Sequence, residues 1–339
     1  MNILITGGLG FIGGHFLTRI KDNNSFDKII VFDKMTYASN YKRLKNIFEK
    51  KNFLLVKGDI ASKNDVRQVF HVHKPNIVIN FAAESHVDNS INEPNLFLDV
   101  NTKGTLNLLI EAKKLWINEN NVLKEFYKKS IFYQISTDEV FGSLSKVNSF
   151  DEKSPYSPNS PYSASKAGAD HFVKAFHKTF NLPTIISYCS NNFGPYQNVE
   201  KLIPKIISCI KQNKDIPIYS DGSNIRDWIY VEDHCKAISL ILEKGKPGKE
   251  YCIGGSNEMS NLEICKLILE IIDTLIPCKN NNKYMDKIKF VKDRKGHDFR
   301  YSLKTSKIFY DHKIFQNSSF KENLKFTVAH FLNLKLKTL

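Results

Sequence analysis

The chain has 339 residues and is 42% hydrophobic, 12% aromatic and 25% charged, which supports a large buried core with a second lobe and excludes a disordered or fibrous chain. Lys+Arg 49 against Asp+Glu 35 gives a net charge of +14. The lysines are interleaved with Asn and Ile, as in Lys211-Gln212-Asn213-Lys214, and form no compact basic stripe, so the charge reads first as a compositional bias toward Lys, Asn and Ile, with attraction of an anionic substrate as the alternative, and no nucleic-acid partner is expected.

No stretch reaches the ~20 apolar residues of a membrane span. Met1 leads straight into an apolar run without a basic or cleavable leader, which gives the expectation of a cytoplasmic protein with no membrane contact. The six cysteines all follow Cys189 or are that residue, and none forms a Cys-x-x-Cys pair; buried reduced thiols are expected, with no disulfide and no metal.

In chain order, Met1–Thr6 reads as a strand, Gly7-Gly8-Leu9-Gly10-Phe11-Ile12-Gly13 as a glycine turn, and the following residues to about Lys21 as a helix. Further apolar runs at Lys28–Phe32, Phe53–Val56, Ile77–Phe81, Ile131–Ile135 and Ile185–Ser190 are separated by helix-compatible sequence. This pattern predicts an α/β chain with a doubly wound (Rossmann) parallel sheet. Residues 1–190 are assigned to that dinucleotide-binding domain, with 225–245 returning to it. Residues 191–224 and 246–339, richer in Pro, Gly and Asn, are assigned mainly to a smaller substrate-binding lobe, including helices at Leu202–Gln212 and Asn261–Leu275. The Asn-rich tracts Asn118–Asn121 and Asn280–Asn282 read as exposed loops.

The glycine turn lies between a strand and a helix, where backbone N–H groups and the helix dipole receive a pyrophosphate. Asp33, 20 residues after Gly13, is placed to accept ribose hydroxyls and repel a 2′-phosphate, which favours NAD over NADP; Lys34 weakens that preference slightly. Asp59 is placed to meet the adenine or to cap a helix.

Tyr162 and Lys166 lie four apart, on one face of a helix begun by Pro161. A nearby ammonium lowers a phenol's pKa and makes it a usable general base; a surface Tyr/Lys pair is the plainer reading of the spacing alone. With the dinucleotide turn upstream, the residues match the extended short-chain dehydrogenase/reductase family. Thr137-Asp138-Glu139 adds two adjacent carboxyls at the end of a strand, where open α/β sheets bind ligands. A second acid and base beside the tyrosine imply elimination of water; two surface acids capping a turn are the alternative.

Beyond these motifs the chain carries Ala82-Ala83-Glu84-Ser85-His86-Val87-Asp88, Asn191-Asn192-Phe193-Gly194-Pro195-Tyr196, Lys201-Leu202-Ile203-Pro204, Ile225-Arg226-Asp227-Trp228 and Asp293-Arg294-Lys295-Gly296-His297-Asp298. With these segments it closely resembles the nucleoside-diphosphate-glucose 4,6-dehydratases over nearly its whole length. It departs from them at Phe141, where Tyr is common, at Gly14, where Ser is common, and at Asn89, where Arg is frequent.

The resemblance implies a hydro-lyase with tightly held NAD that makes a 4-keto-6-deoxyglucose nucleotide, an early step of deoxysugar or rhamnose synthesis. Tyr162, helped by Lys166 and Thr137, takes the C4 hydroxyl proton, Glu139 removes the C5 proton, and protonated Asp138 delivers one to the departing C6 hydroxyl. Cofactor contacts fall to Gly7, Gly10, Phe11, Ile12, Gly13, Asp33, Lys34, Thr36, Asp59, Ile60, Phe81, Ala82, Ala83, Asn101, Tyr162, Lys166 and Asn192. Substrate contacts fall to Ser85, Thr137, Asn191, Lys201, Leu202, Ile206, Pro217, Tyr219, Arg226, Asn257, Arg294 and His297, with Arg226 assigned to the pyrophosphate as a bidentate guanidinium.

The nucleotide stays open: dTDP-glucose is favoured narrowly over UDP-glucose, because thymine and uracil differ by one methyl. A sugar-nucleotide 4-epimerase is the competing enzyme reading, and a non-enzymatic NAD-binding or nucleic-acid-associated protein the competing reading outside catalysis. The resemblance further implies a homodimer built as a four-helix bundle from Asn101–Leu115 and Tyr162–Phe180.

Overall fold

A computed structural model describes residues 1–145, 147–278, 284–315 and 319–335. The apolar runs near the N-terminus become β1 (Asn2–Thr6), β2 (Lys28–Asp33), β3 (Phe53–Lys57), β4 (Ile77–Asn80), β5 (Ile131–Thr137) and β6 (Thr184–Cys189). The lobe segments supply β7 (Asn191–Phe193), β8 (Ile216–Tyr219), β9 (Ile225–Tyr230), β10 (Glu250–Ile253), β11 (Glu258–Ser260) and β12 (Ile288–Val291).

The central sheet has seven parallel strands in the order β10-β6-β5-β4-β1-β2-β3, the doubly wound arrangement expected. Its two faces are covered by separate apolar clusters, one with Ile3, Phe16 and Val31, the other with Leu4, Phe70 and Trp116. Strands buried on both faces must be apolar at nearly every position, which is why they read as continuous runs and not as alternating patterns. Strand order reverses between β1 and β4, the switch point where ligands bind in such sheets. A buried polar ladder ties the strands there: Thr6 donates to Asn80 at 2.6 Å, and the Asn80 amide donates to Gln134 at 2.8 Å and Thr105 at 3.0 Å.

Two segments depart from the boundaries read in the sequence. Residues 246–339 contribute β10 to the edge of the central sheet, paired with β6. Of 225–245, the helix Val231–Lys244 packs on the Phe11–Ile20 helix, whereas β9 joins β7 and β11 in a separate three-stranded sheet. Edge pairing depends on spatial proximity after the lobe has folded, and no local pattern announces it. The helix read from Asn101 instead begins at Gly104, preceded by a π-helical turn over Leu98–Lys103. That turn swings Asn101 inward, where its side chain bonds both the N–H and the C=O of Glu84 and the Ser165 hydroxyl, and Thr102 donates to Ser165 O at 2.8 Å.

The Pro161–Phe180 helix has a Ser160/Ser163 capping box and Pro161 in its first turn, local signals that fix where it starts. All six cysteines are free thiols, four of them buried. The tract 280–282 lies outside the described residues. Among the described residues no helix is long and apolar enough to cross a membrane.

Two glycines test the turn. Gly7 has φ +63° and a Cβ there would lie 2.7 Å from Ala82 backbone atoms, whereas a Cβ on Gly14 would meet its nearest neighbours only at 3.4 Å. Gly7→Ala should therefore lower unfolding stability by about 1–3 kcal/mol through overpacking and a strained φ. Gly14→Ala, within a helix, should be neutral or stabilising by up to ~1 kcal/mol. Urea unfolding midpoints of the two variants check the contrast.

Candidate active site

A cleft of about 630 Å³ opens at the switch point, lined by the glycine turn, the ends of β2, β4 and β5, Tyr162, Lys166, and residues 189–192 and 196–201. Gly7, Gly10, Phe11, Ile12, Gly13, Asp33, Lys34, Thr36, Asp59, Ile60, Phe81, Ala82 and Ala83 all line it, as the sequence suggested. The turn is close-packed: a Cβ on Gly13 would sit 2.5 Å from Gly7 O, so backbone amides stay near any pyrophosphate. The Asp33 carboxylate is buried and organised by Leu9 N at 2.9 Å, Met35 N at 2.8 Å and Ser39 Oγ at 2.9 Å. Lys34 is paired with Asp59 at 2.8 Å, so its charge is neutralised and does not await a 2′-phosphate. Asp59 also bonds Ala61 N at 2.9 Å, while the helix cap belongs to Ser62.

At the end of β5, Thr137 starts a short 3₁₀ turn that carries Asp138 and Glu139 into the same cleft. Glu139 N donates to Thr137 Oγ1 at 3.3 Å, and Thr137 Oγ1 lies 3.4 Å from Asp138 Oδ1. Asp138 Oδ2 is buried without a partner. Burial first, then the neighbouring Glu139 and Asp227, hold the Asp138 carboxyl well above its usual range against the opposing Arg226 charge, which favours its protonated form. Burial also raises Glu139, but Arg294, Lys201 and Arg226 oppose that rise. The two adjacent acids thus sit in different electrostatic surroundings, one poised to donate a proton and one to accept.

Tyr162 corrects an expectation. Burial and the Glu139 charge push its phenol well above its normal value, with a Thr137 hydrogen bond as the opposing influence. The Lys166 ammonium is instead held by Ile135 O at 2.7 Å. Removing water costs the phenolate more than the protein's own cations return.

Ser85, Thr137, Asn191 and Lys201 line the cleft. Asn191 Oδ1 is buried and unpartnered, and Lys201 Nζ donates to Ser85 O at 2.6 Å, closing the wall beside Glu139. Asn192 lines it too. Its amide donates to Ser190 O at 3.0 Å, which leaves Oδ1 to accept from His234 Nδ1 at 2.9 Å. Burial drives the His234 pKa down to about 3, so this neutral imidazole fixes the Asn192 orientation.

Other assignments separate from the cleft wall. Ile206 is core, Leu202 packs against that core, and Asn101 is consumed by the clamp on Glu84. Asn257 donates to Trp228 O and Gly255 O and lines a different cavity of about 260 Å³. Arg226 spends its two amino groups on the carbonyls of Ile225, Phe299 and Asp298 and stacks on Tyr301 at 4.4 Å. Its charge acts on Asp138 and Glu139, and these bonds leave the Nε–H and one Nη2–H of the guanidinium without a protein partner among the described residues. Pro217 lies in β8 beside Tyr219, whose hydroxyl donates to Asp88 at 3.2 Å and whose ring meets His297 at 5.9 Å. Arg294 lies 3.8 Å from Asp88, with its Nε buried and unpartnered. These residues form a cluster adjoining Glu139 and Lys201 outside the main cleft.

The sequence reading missed Tyr37, Glu200, Tyr196, His330 and Phe331 on the cleft wall. Tyr37 donates to Glu200 at 3.3 Å across the mouth. His330 and Phe331 come from the last helix, and no local motif marks a chain end that returns to an N-terminal cleft.

Comparison with known proteins agrees with this geometry. Residues 4–325 match the family model described as GDP-mannose 4,6 dehydratase. The chain is 45% identical over 335 residues to dTDP-glucose 4,6-dehydratase of Haemophilus influenzae, covering 98% of each chain, and 42% identical over 346 residues to that of Escherichia coli, covering 99% of this chain and 94% of the relative. The chain belongs to the nucleotide-sugar 4,6-dehydratase family. This dehydratase superposes on the crystal structure of the dTDP-glucose 4,6-dehydratase DesIV from Streptomyces venezuelae, which has NAD bound, with a TM-score of 0.87 at 36% identity, covering 98% of this chain and 97% of the other. UDP-glucose 4-epimerase from Thermus thermophilus aligns at a TM-score of 0.83 and 22% identity, a likeness of fold alone. The dehydratase is accordingly an enzyme of the hydro-lyase type, and the residues of its cleft fit NAD.

Asp138 provides the direct test of the electrostatics. At neutral pH it should show a protonated-carboxyl infrared band that Asp138→Asn abolishes. In Glu139→Gln, which removes a like charge, the band should titrate away at lower pH than in the wild type.

Proposed function

We propose that this enzyme dehydrates a nucleoside-diphosphate-glucose at C4–C6, with dTDP-glucose preferred over UDP-glucose, to give the 4-keto-6-deoxyglucose nucleotide. The observation that carries the reading is the pair of adjacent carboxyls at the end of β5, one held protonated by burial, beside Tyr162 and Lys166. An epimerase has no use for them. The curated relatives named as dTDP-glucose enzymes support the choice of nucleotide.

The glycine turn and Asp33 would hold NAD, which would supply a reversible hydride acceptor and a positive charge to the cleft that Tyr162 lines. Tyr162 accepts the C4 hydroxyl proton, held by Thr137. Glu139 removes the C5 proton once C4 is a ketone, and Asp138 gives its proton to the leaving C6 hydroxyl. Glu139 then returns a proton to C5. Arg294, with an unpartnered Nε, and Lys201 are the cations best placed for the diphosphate.

Glu139→Gln should abolish exchange of the C5 proton with deuterated solvent while NADH still forms from C4 oxidation. Asp138→Asn should retain exchange and lose water elimination. Rapid-mixing absorbance with mass analysis of the sugar separates the two, and identical losses in both variants would sink the assignment. Turnover with dTDP-glucose against UDP-glucose reads the nucleotide preference; one methyl is worth ~1–3 kcal/mol, or roughly a 10- to 200-fold ratio in kcat/KM.

We further infer a cytoplasmic homodimer. Phe172 is 38% exposed on the Pro161–Phe180 helix, on the same outer face as Ala164, Gly168 and Ala175, and the Gly104–Trp116 helix packs alongside. Small residues and one aromatic on an outward face suit close packing against a second copy. Phe172→Asp should yield monomers by analytical ultracentrifugation with activity reduced in parallel, because the same helix carries Tyr162 and Lys166.

A further inference from the structure

The two walls of the cofactor cleft are joined across its mouth by side chains that the assignment of NAD contacts did not use. On one side runs the segment after β2, which follows Asp33 and ends in the short helix Tyr41–Leu44; on the other run residues 196–201 and the end of the Phe320–Phe331 helix. Tyr37 Oη donates to Glu200 Oε2 at 3.3 Å. In a second contact the Arg43 guanidinium lies 4.2 Å over the Tyr196 ring, and the His330 ring meets Tyr196 at 4.4 Å with an interplanar angle of 63°. Tyr37 and Tyr196 are 68% and 42% exposed, so neither ring is there to fill the core.

The second contact is held from several directions. Tyr196 has φ +65°, a left-handed conformation that a tyrosine adopts only where its surroundings impose it. Gly194, where a Cβ would sit 2.5 Å from Val231, and His15, whose Nε2 donates to Pro195 O at 2.9 Å, fix the turn that presents the ring. Among the described residues the half-buried Arg43 guanidinium makes no hydrogen bond and no ion pair, and its recorded contact is the Tyr196 ring. A guanidinium is weakly hydrated and stacks on aromatic faces, and the attraction grows as water is excluded.

We propose that the Tyr37–Glu200 bond and the Arg43–Tyr196–His330 stack form a two-point clasp that closes the mouth of the cleft over the bound dinucleotide and sets the rate at which NAD leaves. Tyr37, Tyr196 and Glu200 line the same cleft as the glycine turn and Asp33, so a dinucleotide held by the turn and by Asp33 leaves through this mouth only when the walls part. Arg43 acts through Tyr196 and is a positioning residue. Opening one contact leaves the other closed, so exit waits on both and their effects on the rate multiply. Glu200 is followed directly by Lys201, whose Nζ is bound to Ser85 O at 2.6 Å, so the segment that closes the cofactor mouth also walls the site beside Glu139. The clasp concerns the cofactor alone and holds for either sugar nucleotide.

The test uses holoenzyme loaded with radiolabelled NAD and chased with excess unlabelled NAD, the retained label being followed in time by rapid gel filtration. Tyr37→Phe, Glu200→Ala and Arg43→Met should each speed loss of label by roughly 2- to 5-fold. Tyr37→Phe combined with Glu200→Ala should be no faster than either alone, because both break one bond, whereas Tyr37→Phe combined with Arg43→Met should give about the product of the two single effects. Tyr37 is exposed, so its variant and the Glu200 pair serve if Arg43→Met unfolds. Loss of label at the wild-type rate in folded Tyr37→Phe or folded Arg43→Met, or a Tyr37→Phe effect that Glu200→Ala does not share, overturns the clasp. The exchange involves no sugar nucleotide, so its outcome is independent of the 4,6-dehydration reading, which formation of the 4-keto product tests.

Discussion

Exclusion of water from the end of β5 is the constraint on which the rest of this structure depends. Asp138 is buried with an unpartnered oxygen, Glu139 lies beside it among three cations, and Tyr162 is buried in the wall of the same cleft. An isolated buried carboxylate is too costly to keep ionised, so the acid faced by two carboxylates and one cation favours its protonated form, and the one faced by three cations gives up its proton more readily. The protein thereby holds an acid and a base side by side without a metal ligand or a second fold element between them. The cost of that burial is met elsewhere, by the two apolar clusters on the faces of the sheet.

The same sheet sets the distances. Parallel pairing brings the ends of β1, β4, β5 and β6 to one edge, and the Thr6-Asn80-Gln134 ladder holds them in register. From that edge the glycine turn reaches across to Ala82, so close that Gly7 tolerates no Cβ, and it folds back on itself so tightly that Gly13 tolerates none against Gly7 O. The helix bearing Tyr162 and Lys166 is clamped to the same edge from outside, by Asn101 and Thr102 of the π-helical turn acting on Ser165. A one-residue expansion in that turn is what points Asn101 at Glu84 and Ser165 together; π-turns of this kind are frequent beside functional sites.

Several residues that read as ligands are supports. Arg226 is one in part: its amino groups satisfy backbone carbonyls of the 298–299 segment and its charge acts on the acids, while its Nε–H has no protein partner among the described residues. Asn101 and Ile206 are likewise internal. A short motif preserves residue type equally well for a group that touches a substrate and for one that holds a loop in place, and only the partners of its polar atoms separate the two. Conversely, His234 carried no signal beyond a lone histidine in an amphipathic helix, yet its imidazole orients Asn192 in the cleft wall.

How far the chain could be read depends on whether the determining interaction is local. The strand-turn-helix at Gly7–Gly13, the Pro161 helix start, the Tyr162/Lys166 spacing and the placement of Thr137-Asp138-Glu139 at a strand end follow from backbone sterics, helix period and capping over a few residues, and all were legible in the sequence. The pairing of β10 with β6, the arrival of His330 and Phe331 at the cleft, the Arg43–Tyr196–His330 stack and the reversal of the expected Tyr162 shift were decided only by the tertiary structure. Each depends on groups far apart in sequence, or on how much water remains around a charge. Desolvation is a property of the packed whole, and no window of residues contains it.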